Sequence, residues 1–340
     1  MTSLRVACLG AGFFAQFHYY SWARMDRVRL VGACDLDLGK ARSTGLPAFD
    51  GLETMLEQTT PDVLDIILPP PAHAKAIRTA LDAGIKTIIC QKPFCVNLQE
   101  AQEIAALAAQ NGAQIIVHEN FRFQPWYRSL KRALDDDAIG KLHQVTFRLR
   151  PGDGQGPDVY LDRQPYFQTM KQFLVHETAV HWIDTFRYLL GNPSAVYADL
   201  RRVNPVIAGE DAGYILFDHP NGVRALFDGN RSLDHAADNH RRTMGEMLVE
   251  GASGTIQLRG DGSLWQRRFR ARDEFCLKPA DTWDGFGGDC VHALQSHVVV
   301  GLLDGTAFEN TAQEYLRVIN IEEAVYRSAT EARKITLGAT

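Results

Sequence analysis

The stretch Gly10-Ala11-Gly12-Phe13-Phe14-Ala15 constrains the fold more than any other, because of what flanks it. The apolar run 4–9 precedes it, and a helical pattern over 13–25 follows. In G-x-G-x-x-A the first glycine permits a tight turn and the second lets the backbone approach a pyrophosphate. The small third residue lets the helix pack closely on the strand, and the helix N-terminus adds partial positive charge. The motif is weak by itself and gains weight from its context. A second strand expected over 28–34 ends at Asp35, placed to bond both adenosine ribose hydroxyls and to repel a 2′-phosphate. Leu36 and Asp37 follow with no arginine, so NAD is expected rather than NADP.

The same grammar repeats through the first third of the chain. Further strands are expected at 63–68, 85–90 and 114–118, and helices at 52–58, 72–83 and 98–110. Apolar runs buried on both faces and alternating with helices form a parallel, doubly wound sheet. Near residue 120 the pattern changes. A helix over 121–134 and a strand over 144–150 lead into 151–158, a Gly/Pro/Asp-rich stretch that reads as an active-site loop. A helix over 175–191 follows. Alternating runs at 196–202, 213–217, 223–227, 247–250 and 255–258 suggest a mainly antiparallel sheet, and helices over 289–303 and 311–331 close the chain. The expected fold class is α/β. Residues 1–119 form a dinucleotide-binding, Rossmann-type doubly wound parallel sheet. Residues 120–340 form an α+β domain on a mainly antiparallel sheet, for substrate binding and oligomerisation.

Composition narrows the setting. With 340 residues, 45% hydrophobic and 23% charged, the chain reads as a soluble globular protein of two domains. A net charge of −5 leaves no basic footprint for nucleic acid or anionic membrane. No apolar stretch approaches the ~20 residues of a membrane span, and the first residues lack the features of a signal peptide. The 6 cysteines show neither a C-x-x-C pair nor a zinc spacing. Buried thiols in a reducing cytoplasm, and no metal, are therefore expected.

Two further segments carry chemistry. Lys92-Pro93 follows the fourth run. Proline pushes the residue before it into an extended conformation, and a lysine at the carboxyl end of a buried strand points toward the crevice where such sheets bind ligands. The second segment, His176-Glu177-Thr178-Ala179-Val180-His181, invites comparison with the zinc signature H-E-x-x-H. Its histidines are five apart, about 140° around a helix, and cannot share a ligand face. Glu177 and His181, four apart, share one. A carboxylate so placed holds an imidazole in one tautomer, making His181 the candidate general base. Asp184 lies one turn further along. His176, on another face, is a candidate for substrate contact or for packing.

Together these residues resemble the family of glucose–fructose oxidoreductase and inositol dehydrogenase, Gfo/Idh/MocA. The resemblance runs through Gly10 to Ala15, Pro69-Pro70 with His73, and Gln91-Lys92-Pro93. It continues through His118-Glu119-Asn120-Phe121-Arg122-Phe123, then Glu177 to His181, and ends at Glu323 to Ser328. The stretch Arg150 to Pro157, with Cys90 to Phe94 and Asp238-Asn239-His240, is most similar to the D-apiose dehydrogenase branch, which oxidises a branched pentose at C1.

The resemblance implies an NAD-dependent sugar or polyol dehydrogenase. Hydride would move from a carbinol carbon, such as C1 of D-apiose to give a lactone, onto NAD. Lys92 would bond the reacting hydroxyl and stabilise its developing charge, with Glu177 and His181 completing the catalytic set. Gly10, Gly12, Phe13, Phe14 and Asp35 would hold the cofactor, together with Pro69, His73, Gln91, Lys92 and Asn120. Arg122, Asp153 (or Asp158), Arg163, Tyr166 and His176 would read the sugar hydroxyls, and Trp283 is a candidate for stacking on a sugar face. A homodimer or homotetramer is implied. Two departures stand out: Gln91 where the family has Glu, and Glu177 where it has Asp. An NAD-assisted glycosidase and a catalytically silent NAD/sugar sensor are the alternatives.

Overall fold

Strand and helix alternate from the start of the computed structural model, which describes residues 3–338. The order is β1 (Leu4–Leu9), α1 (Ala15–Ala23), β2 (Val28–Cys34), α2 (Leu38–Ser43), β3 (Ala48–Phe49) and α3 (Leu52–Thr59). Next come β4 (Val63–Ile66), α4 (His73–Asp82), β5 (Thr87–Gln91), α5 (Leu98–Gln110) and β6 (Gln114–His118). Within the described residues these strands form one parallel six-stranded sheet in the order β3-β2-β1-β4-β5-β6. Every residue of β4 and β5 is buried, as central strands covered on both faces must be. Asn97 caps α5, its Oδ1 accepting from the Glu100 N–H at 2.9 Å.

The remaining elements are α6 (Pro125–Asp135), β7 (Leu142–Leu149), α7 (Val180–Leu190), β8 (Ala195–Arg201), β9 (Ala212–Asp218) and β10 (Arg224–Asn230). They continue with β11 (Gly245–Gly251), β12 (Gly254–Leu258), β13 (Leu264–Arg268), β14 (Glu274–Lys278), α8 (Cys290–Asp304), α9 (Ala312–Glu331) and β15 (Ile335–Thr336). Among the described residues the second sheet has nine strands, ordered β14-β13-β12-β11-β7-β10-β9-β8-β15. It is mixed and mostly antiparallel, with β7 and β10 running parallel. Trp182 of α7 packs on its face against Phe147, ring centroids 4.2 Å apart, and against Phe227.

The chain divides into two compact units. The first holds Met1–Asn120 and Val291–Ile319, the second Phe121–Cys290 and Asn320–Thr340. The sequence boundary near 119/120 therefore needs one addition: 291–319 returns to the first unit. Val117 N–H donates to the Asn310 carbonyl at 2.8 Å, and Gln295 reaches Asp65. No helix of the described residues is long and apolar enough to cross a membrane.

The helix expected over 175–191 is not one regular helix. Leu174–Ala179 forms a π-turn, and α7 starts only at Val180. Glu210 explains the start of that turn: its Oε1 accepts from the N–H groups of Phe173 and Val175, both at 3.1 Å, and its carbonyl from Leu174 at 2.9 Å. Bonds of the i→i+5 kind widen the turn. The 3.6-residue spacing used above to place Glu177, His176 and His181 on faces therefore does not apply here.

Candidate active site

The first unit collects its ligand-binding chemistry at the carboxyl ends of its strands, where doubly wound sheets bind dinucleotides. Gly10 leaves β1 with φ +110°, and a Cβ there would lie 2.3 Å from the Ile67 carbonyl oxygen, so only glycine fits. Gly12 is open, with no heavy atom within 4 Å of a Cβ position. At the end of β2, Asp35 turns toward this loop. Its Oδ2 accepts from the Ala11 N–H at 2.8 Å and its Oδ1 from the Asp37 N–H at 2.9 Å. Phe13 is half-exposed, while Phe14 packs edge-on against His18. At the end of β6, Asn120 is buried, and its Nδ2 has no hydrogen-bond partner among the described residues. An open glycine, an aimed carboxylate and an orphaned amide donor fit a dinucleotide.

Pro69 lies in the turn after β4 and His73 opens α4. His73 is buried, its Nε2 2.7 Å from the Leu68 carbonyl oxygen and its Nδ1 3.0 Å from that of Phe94. Burial pushes its imidazole down, against the pull of those carbonyls. His73 thus ties the turn after β4 to the segment after β5. That segment opens with Gln91 and Lys92, joined to Pro93 through a cis peptide bond. Gln91 is buried: its Nε2 lies 2.8 Å from His18 Nε2 and 3.2 Å from His118 Nδ1. His18 in turn meets Asp65 at 2.7 Å. Reading the sequence assigned no role to His18, Asp65 or His118. The available signal was Asp65 itself, an acid inside the apolar run Val63-Leu64-Asp65-Ile66-Ile67.

The second unit holds the other named residues. The His181 imidazole is buried and lies flat on Phe121, centroids 3.8 Å apart with planes at 4°. Arg122 grips the buried Asp184 with two bonds, Nε to Oδ2 at 2.7 Å and Nη2 to Oδ1 at 2.5 Å. His176 Nδ1 lies 2.6 Å from Glu322 Oε1, and its N–H donates to the Tyr326 hydroxyl at 3.1 Å. Tyr326 donates to Glu210 at 2.7 Å, so His176 belongs to the same clamp that opens the π-turn.

Asp153 lies on the wall of a cavity of about 610 Å³ in this unit, with Arg163, Tyr160 and Arg241. Its Oδ2 accepts from Arg163 Nη2 at 2.6 Å and Arg231 Nη2 at 2.9 Å. Burial raises the Asp153 carboxyl, but Arg231 and Arg163 outweigh it and hold it below its ordinary range. Arg231, overlooked in the sequence, is buried over the Phe173 ring and donates to Thr178 Oγ1 at 2.6 Å. The loop is thereby anchored to the π-turn beside Glu177. Tyr166 is more exposed. Partial burial, then the Glu177 carboxylate, push its phenol up to about 12, which makes these two groups electrostatic neighbours. Trp283 packs edge-on against Trp126 and carries Lys278 over its ring.

Residues 4–119 match the oxidoreductase family with an NAD-binding Rossmann fold, and residues 127–257 match the GFO/IDH/MocA C-terminal domain. A D-apiose dehydrogenase of Paraburkholderia graminis is 32% identical over 97% of this chain and 89% of its own length. One from Rhizobium rhizogenes is 27% identical over 100% of this chain and 99% of its own. An Agrobacterium radiobacter oxidoreductase, solved with NAD+, L-tartaric acid and magnesium, superposes with a TM-score of 0.89, at 26% identity over 98% of both chains. With both domains matched and the carboxyl edge of its first sheet built for a dinucleotide, the chain belongs to the GFO/IDH/MocA family of NAD-binding oxidoreductases.

Proposed function

We propose that this oxidoreductase is a sugar or polyol dehydrogenase, and that its substrate is an aldose such as D-apiose, oxidised at C1 to a lactone. The observation that carries this reading is the convergence of Gly12, Asp35, Lys92 and the orphaned Asn120 amide on one sheet edge. The apiose assignment rests on similarity to the two dehydrogenases of that name.

NAD, when bound, supplies the hydride acceptor. Asp35 would hold the adenosine ribose hydroxyls, and the open Gly12 backbone would admit the pyrophosphate. The Lys92 ammonium would bond the reacting hydroxyl oxygen and stabilise its negative charge as the proton leaves. His181 would take that proton, and Glu177, the charge neighbour of Tyr166, is proposed as the carboxylate of the same site. The carbinol thus loses a hydride and a proton and becomes a carbonyl. Arg163, through the guanidinium nitrogens not given to Asp153, and Tyr166 are the second-unit groups proposed to contact sugar hydroxyls. Arg122, Asp153 and His176 bond to Asp184, Arg231 and Glu322, so we assign them to shaping the site.

Lys92→Ala tests this reading. It should lower kcat by 10²–10³, the usual loss for an oxyanion donor, with NAD affinity little changed. Retention of more than about a tenth of wild-type turnover removes Lys92 from the mechanism.

A further inference from the structure

Behind the sheet edge lies a buried polar cluster that the proposed chemistry does not use. Asp65, in the middle of β4, has no exposed surface. Its Oδ2 accepts from His18 Nδ1 at 2.7 Å, Trp22 Nε1 at 2.8 Å and Gln295 Nε2 at 3.2 Å. The other side of the His18 ring meets the Gln91 amide at 2.8 Å, and that amide also meets His118 Nδ1 at 3.2 Å. The two imidazoles are tilted against each other, centroids 4.1 Å apart. On the far side of the amide, Gln91 Oε1 accepts from the Lys92 backbone N–H at 3.2 Å.

Donor and acceptor chemistry then places the two ring protons; the Gln295 amide nitrogen, also 3.2 Å from His18 Nδ1, donates to Asp65 and leaves that placement unchanged. The Lys92 N–H can only donate, so the amide oxygen faces it and the amide nitrogen faces the histidines. An amide nitrogen also only donates, so His18 Nε2 and His118 Nδ1 are both acceptors. His18 therefore carries its proton on Nδ1, donating it to Asp65, and His118 carries its proton on Nε2. Both rings are neutral, and Asp65 is the cluster's one carboxylate.

A glutamate at position 91 would set acceptor oxygens against two acceptor nitrogens. His118 could answer by moving its proton to Nδ1. His18 could not, because Asp65 already holds its only proton. His18 would have to become an imidazolium between two buried carboxylates, putting three charges where the wild-type cluster holds one, in a site that excludes water.

We propose that residues 65 and 91 are a matched pair across His18, of which only one carries a carboxylate, and that Asp65, His18 and Gln91 are positioning residues for Lys92. Glutamine at position 91, where the family resemblance has glutamate, is then the partner that Asp65 requires. The kinetic side of this inference rests on the Lys92 mechanism above, and the stability side does not.

The test is a cycle of Gln91→Glu, Asp65→Asn and the double variant. It is read by Tm of the unliganded chain, by NAD affinity, and by kcat and KM for NADH formation. Gln91→Glu should lower Tm and cut kcat at least tenfold, with a smaller change in sugar KM. Adding Asp65→Asn should recover both. The lone carboxylate, now at position 91, then faces a His18 imidazolium, which still donates from Nδ1 to the residue-65 side-chain oxygen. If Gln91→Glu cannot be obtained folded, a folded double variant gives the same support, and an unfolded one overturns the pairing. Wild-type Tm and kcat in Gln91→Glu, or a double variant no better than Gln91→Glu alone, also overturns it. Should wild type form no NADH from any sugar, the Tm cycle still decides the pairing, while the dehydrogenase reading fails separately.

Discussion

The His181 imidazole lies face to face with Phe121, 3.8 Å between centroids and 4° from parallel. A stacked ring cannot rotate out of its plane without losing the contact, so its nitrogens are confined to that plane. Trp182 meets the edge of Phe121 at 5.3 Å and keeps the phenyl in place. We predict that kcat/KM has an acid limb set by His181, which must be neutral to accept a proton. His181→Ala should erase that limb and slow hydride transfer by 10²–10⁴. Phe121→Leu should keep the limb while lowering kcat. An acid limb unchanged in His181→Ala would assign the proton to another group.

Asp35 governs the choice of nucleotide. Its carboxylate is oriented by the Ala11 and Asp37 N–H groups, and Leu36 beside it is 97% exposed, so an arginine fits there without repacking. Asp35→Ser with Leu36→Arg should shift the ratio of kcat/KM values toward NADP, by removing a repelling charge and adding a phosphate partner. Wild type that already prefers NADP would contradict the role given to Asp35.

Acid stability should report on His219, in the turn between β9 and β10. This histidine is 3% exposed, and neither ring nitrogen has a partner among the described residues. Burial pushes its imidazole down to about 4, with Asp218 opposing only in part. The unfolded chain takes up a proton near 6.5 and the folded chain does not. Its share of stability is therefore full above about pH 6.5 and lost as pH falls toward 4, by about 2 kcal/mol at pH 5. His219→Phe should remove that share of the loss in urea melts at about pH 5 and about pH 7.5, with no hydrogen bond sacrificed. An equal loss in both proteins would show that His219 is not the group.

Much of this was legible in the residues because local chemistry decides it. β1, β2, α5 and β6 fall on the runs that name them, since strands buried on both faces leave continuous apolar stretches. The end of β5 was less legible: Gln91 extends the strand by pairing in register with His118, a contact between distant segments. The π-turn at Leu174–Ala179 escaped for the same reason, because Glu210 takes the N–H groups that open it. Asp153 and Arg122 were named as sugar contacts from their position in the chain. The protein groups they bond, Arg231 and Asp184, follow only from tertiary packing.

Net oxidation of a sugar or polyol by NAD is the reaction proposed for this protein. Its most direct test is NADH absorbance when the wild-type protein and NAD meet a panel of aldoses, polyols and branched pentoses, D-apiose among them. NADH should accumulate in step with lactone or ketone product, fastest with an aldose oxidised at C1. Flat absorbance with release of a sugar from a glycoside would indicate an NAD-assisted glycosidase. Flat absorbance with no product from any of them, although NAD and a sugar bind, would contradict the dehydrogenase account and leave a sensor in its place.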